Sequence, residues 1–182
     1  MKLLDAILLI LVAFLAIFWE AAFDGIRRLA GAQPHLLPSL MVYTALRGSI
    51  WAVCLLAFVA GLLFDSLSSN PLGVTVLPLL AVGIAIYSRN GLILGTQPFA
   101  QSIVGAAASV AVPGLVLLLL VTIGEHPLIG WGTIWQFVVM AATGAIAAPI
   151  FFLLFEWLHK TFSYSGAPET SFRPDREIRR GK

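Results

Sequence analysis

Residues 104–123 read Val-Gly-Ala-Ala-Ala-Ser-Val-Ala-Val-Pro-Gly-Leu-Val-Leu-Leu-Leu-Leu-Val-Thr-Ile, without one ionisable group. A helix rises about 1.5 Å per residue, so this run covers about 30 Å, the thickness of bilayer hydrocarbon. It is too long and unbroken for an amphipathic core helix. Working outward, Ile7–Phe18 and Phe137–Phe155 have the same character. The 182-residue chain is 59% hydrophobic and 11% charged, whereas a hydrated surface usually requires about 25% charged residues. It is therefore read as an all-α, polytopic membrane helix bundle. That excludes a soluble enzyme, a nucleic-acid-binding domain and a disulfide scaffold. Cys54 is the sole cysteine, so no intrachain bridge or cysteine zinc site is available.

Ahead of Leu158 there is room for about six spans of about 20 residues with short connections. The expected spans are 3–23, 34–46, 49–64, 71–88, 98–123 and 133–157. The second and third, with their turn at Arg47-Gly48, share only the 31 residues from Pro34 to Phe64. Two full crossings need about 40, so a tilted, thinned or partly re-entrant hairpin is expected there. Asn70-Pro71 pairs a good N-cap with a proline suited to a first helical turn, which places a helix start there. Thr133 and Gln136 have capping-box spacing ahead of the last run. Arg89 before Asn90-Gly91 suits a helix stop, and Pro113 and Pro149 fall inside the last two spans.

Lys and Arg set orientation. With both termini cytoplasmic, nine of the eleven lie inside and only Arg27 and Arg28 outside. Five spans with an external N-terminus is the alternative. Ala30-Gly31-Ala32 resembles a signal-peptidase site but lies too far from the first apolar run, so that helix is read as retained. Residues 1–157 form one bundle. Residues 158–182 carry six basic against three acidic residues, with Pro168 and Pro174, and read as a disordered basic cytoplasmic tail suited to anionic lipid.

Chemistry is sparse. Asp5, Glu20, Arg47, Asp65, Arg89, Glu125, His126 and Glu156 lie near expected interfaces and are read as boundary markers able to snorkel to water. No HExxH helix, phosphate loop or nucleophile elbow occurs. Asp65 has no evident second carboxylate for proton sharing, and His35, His126 and His159 lack metal-ligand spacing. No catalytic residue, cofactor or metal site is assigned. Small residues are more informative: Gly105, Ala106, Ala107, Ala108 and Ser109 in one span can meet Gly144, Ala145, Ala147 and Ala148 in another, so that backbones approach closely. Trp131, Trp135 and Trp157 fit interfacial belts.

The stretch from Gln33 to Gly83 is the most distinctive. It contains Gln-Pro-His-Leu-Leu-Pro at 33–38, Val-Tyr-Thr-Ala-Leu-Arg at 42–47, and a Gly61-Leu-Leu-Phe-Asp65 segment closed by Pro71-Leu-Gly73. It resembles the rod shape-determining protein MreD family, with His35 in place of the acidic residue often found after the proline. The resemblance implies a non-enzymatic component of the bacterial inner (cytoplasmic) membrane that supports lateral peptidoglycan synthesis and cell shape. It would bind MreC and act with MreB, RodA and a class B penicillin-binding protein. The implied fold is like the substrate-binding subunits of energy-coupling-factor transporters, and such a transport subunit is the alternative function. A vitamin-like ligand calls for several convergent polar groups, whereas Thr44, Ser49, Ser102, Ser109 and Thr143 are nearly all that lie mid-span. A packed bundle is favoured.

Two groups carry the remaining expectations. Pro34, Pro38 and Tyr43 form a helix-entry motif. Asp65, Asn70, Pro71 and Gly73 form a turn in which the carboxylate can accept backbone N–H groups or bonds from Ser66, Ser68 and Ser69, fixing two helices and offering a contact to the periplasmic partner.

Overall fold

The computed structural model describes residues 3–22, 31–68, 71–89, 97–124 and 130–162. Among them are six helices and no strands: α1 (Leu3–Ala22), α2 (Leu37–Arg47), α3 (Ile50–Leu67), α4 (Val76–Ser88), α5 (Pro98–Ile123) and α6 (Trp131–Phe162). Helices α1, α3, α5 and α6 are long and apolar enough to cross a membrane. Many of their large side chains face outward, among them Leu11, Phe18, Phe58, Leu118 and Leu153, as lipid contact requires.

Helix α2 is the hub. It has 11 residues, of which Leu37, Pro38, Ser39, Leu40, Met41, Val42, Thr44 and Ala45 are buried, and it touches every other helix. A helix covered on all faces belongs inside a bundle. At about 16 Å it is shorter than the hydrocarbon is thick, which fits the cramped hairpin expected between Pro34 and Phe64. Its C-terminal Gly48 donates its N–H to Thr44 O at 2.8 Å, and Ser49 immediately caps α3 by accepting from Ala52 N. The turn between the two helices is therefore only two residues long.

Small residues hold the longest helices together, as expected. A Cβ added to Gly105 of α5 would lie 2.5 Å from the Gly144 carbonyl oxygen and from Ala148 Cβ of α6. The same addition to Gly144 would meet Ser109 Cβ at 2.6 Å and the Gly105 oxygen at 2.7 Å. Close backbone approach replaces the hydrophobic driving force that lipid cannot supply. Gly83 of α4 packs likewise on Val53 and Met41.

Several boundaries differ from the sequence reading: α2 begins at Leu37 rather than at 34, and α3 runs to Leu67 rather than ending at 64. Pro71 does not open a helix; residues 72–75 are turn and α4 begins at Val76, with Asn70 outside the described residues. Helix α6 begins at Trp131, where Thr133 accepts from Gly130 N through its hydroxyl and Gln136 turns away to another segment. It also continues to Phe162, beyond the expected end at 157.

Candidate functional site

One end of the bundle gathers the Pro34 entry, the Asp65 turn and the end of α1. Helix α3 carries Asp65 in its last turn, where the side chain is 1% exposed. Its Oδ2 accepts from Gly73 N at 2.8 Å and Thr75 N at 3.1 Å. Thr75 is the N-cap of α4 yet makes no side-chain cap of its own. The carboxylate of one helix thus caps the next, supplying an acceptor for donors that a helix start leaves orphaned. Gly73 sits at φ +92°, which a residue with a side chain rarely adopts. The serines have other tasks: Ser66 Oγ donates to Leu63 O, and Ser68 Oγ donates to the main-chain oxygen of Asp65. Asp65 Oδ1 and Thr75 Oγ1 are both buried without a protein partner.

The entry to α2 is held from three sides. Glu20 of α1 is 6% exposed, and its Oε1 accepts from Leu36 N at the N-cap of α2. Its Oε2 lies 3.5 Å from His35 Nδ1. The His35 ring in turn packs 4.4 Å from the Phe64 ring, beside Asp65. From α6, Gln136 brackets the backbone of Gln33, accepting from its N–H at 3.3 Å and donating to its carbonyl at 2.9 Å. Pro38, in the first turn of α2, has no N–H to satisfy and so fits a helix start closed off from water.

Glu20, expected as a boundary marker able to snorkel to water, is instead buried and bonded to Leu36 N. Neither Gln136 nor Thr75 was assigned to this end. The available signal was an acidic residue that is the sole charge in the 18-residue stretch from Ala6 to Phe23, since such a group in lipid calls for a partner. Which partner is a tertiary fact, invisible in local spacing.

The candidate residues do not all converge. Asp65, Gly73, Pro34 and Pro38 belong to this end, with Pro71 exposed at the turn. Tyr43 lies toward the other end of α2, stacked on Phe155 at 4.2 Å and edge-on to Phe152 at 5.1 Å. Beside it, Asp5 and His159 approach to 3.4 Å, joining the start of α1 to the end of α6. Among the described residues, no group of three or more His, Cys, Asp or Glu side chains could hold a metal ion.

Together the Asp65 turn and the α2 entry tie α1, α2, α3, α4 and α6 to one another at this end. A protein-family model described as MreD, rod shape-determining protein, matches residues 1–162. No curated protein and no solved structure matches the chain.

Proposed function

The chain belongs to the MreD family of rod shape-determining membrane proteins, and from that premise we propose that it is a non-enzymatic scaffold of the bacterial inner membrane, holding MreC within the complex that drives lateral wall synthesis. MreB, RodA and a class B penicillin-binding protein are the further members of that assembly. The observation that carries this reading is the family match over the whole described bundle. The latched end, facing the periplasm with both termini cytoplasmic, is the surface proposed for MreC. Its physics suits a docking platform, because a partner binds more tightly to groups already held in place.

Affinity purification of the full chain from membranes tests the function. Recovery of MreC supports it, and recovery of a transporter ATPase module with a retained small molecule would overturn it. Two variants test the surface. Asp65→Asn keeps hydrogen bonding and loses charge, while Asp65→Leu loses both. If both fold and still co-purify with MreC at the parental level, the turn is not the contact.

A further inference from the structure

At the opposite end, an open cleft of about 630 Å³ lies between the end of α2, the start of α5 and the last third of α6. That is within the size range of small-molecule sites, about 300–1,000 Å³. Its walls differ in chemistry. Phe152 and Leu153 make an apolar side, and Leu153 is 68% exposed on the outer surface of the bundle. Arg47, Gln101, Glu156 and His159 make a polar side, with Gln101 only 6% exposed.

The charges on that polar side are not equally matched. Glu156 Oε1 is held by Lys160 Nζ at 3.3 Å. His159 Nε2 lies 3.4 Å from Asp5 Oδ1, and its Nδ1 is 2.9 Å from Phe155 O. Of Arg47 and Glu156, both lining the cleft, Glu156 is paired and Arg47 has no ion-pair partner among the described residues. Pro98, in the first turn of α5, also lines the cleft, so the positive end of that helix dipole adds to the guanidinium. Arg47 is therefore the charged group of the cleft left open to an anion.

Depth in the membrane identifies the source of that charge. Trp157, 62% exposed, and Lys160 mark the level at which α6 leaves hydrocarbon. A ligand here meets water-facing groups on one side and acyl chains at Leu153 on the other. We propose that the cleft holds one anionic glycerophospholipid from the leaflet at the Arg47 end, its phosphate on Arg47 and an acyl chain over Phe152 and Leu153. A zwitterionic lipid fits less well, since its ammonium group would need a free carboxylate, and Glu156, the carboxylate that lines the cleft, is already held by Lys160. This assignment is independent of the partner proposed above.

Native mass spectrometry of the full chain, released from phosphatidylcholine nanodiscs with and without phosphatidylglycerol, tests it. One phosphatidylglycerol per chain is expected to survive release, in preference to phosphatidylcholine. Loss of a charge-assisted contact lowers that retention about tenfold in Arg47→Ala. Leu153→Glu, which puts a like charge at the exposed mouth without touching the core, is expected to do the same and carries the test should Arg47→Ala fail to fold. Arg89→Ala, a basic residue outside the cleft, is expected to leave retention unchanged. Equal retention of the two lipids, an equal loss in Arg89→Ala, no loss in Leu153→Glu, or displacement of the lipid by millimolar inorganic phosphate would each overturn the assignment.

Discussion

Asp65 reaches from the end of α3 to the main chain of Gly73 and Thr75, eight and ten residues on. Removing it leaves two N–H groups without their acceptor, and each orphaned donor costs about 1–3 kcal/mol. Asp65→Leu is therefore expected to lower the melting temperature in detergent well below that of Asp65→Asn, which keeps one carbonyl acceptor. Equal melting points would show that the cap contributes little. The capacity of this carboxylate to cap the following segment was legible, because its position between two apolar runs left few other roles. Glu20 was not legible in the same way. Its partners His35 and Leu36 lie across the connection between α1 and α2, and nothing in local spacing distinguishes a buried glutamate from one reaching into water.

At the scale of the elements, the stripe of small residues predicted the α5–α6 contact because close approach needs only that Cβ atoms be absent or small. Adding one tests it. Gly105→Ala drives a methyl group against a backbone oxygen, and overpacking of this kind costs about 1–3 kcal/mol. Gly114→Ala in the same helix meets nothing within 4 Å and is expected to be neutral or to stabilise by about 0.5–1 kcal/mol. Thermal unfolding of the two variants side by side separates packing from helix propensity; a similar change in both would argue against the contact. The start of α4 escaped the same reasoning. Asn70-Pro71 is a good local start signal, but the acceptor that caps α4 comes from the preceding helix, so the chain winds through a turn before Val76. Likewise the Thr133–Gln136 spacing fits a local cap, yet Gln136 is engaged by Gln33, 103 residues away.

For the molecule as a whole, the shortest helix is the most enclosed. Backbone amides of α2, at Met41 and Val42 above all, are expected to exchange with deuterium more slowly than those of the longer α1, whose Leu11, Phe14 and Leu15 are exposed. Faster exchange in α2 than in α1 would mean that the hub opens independently of the bundle. That a short helix would occur between Pro34 and Arg47 was legible from length arithmetic, but its central position was not, since enclosure depends on how the other five helices surround it. Helix α4 presents the converse case, 13 residues with Leu77 and Ile84 facing outward. It supplies a wall only about 20 Å tall against about 30 Å of hydrocarbon. Acyl chains along that flank must shorten or splay, while those beside α6 need not, so the protein dimples its membrane on one side only. A neighbour whose own span is short would relieve that deformation by settling there, giving the molecule a preferred azimuth for company before any side chain makes contact.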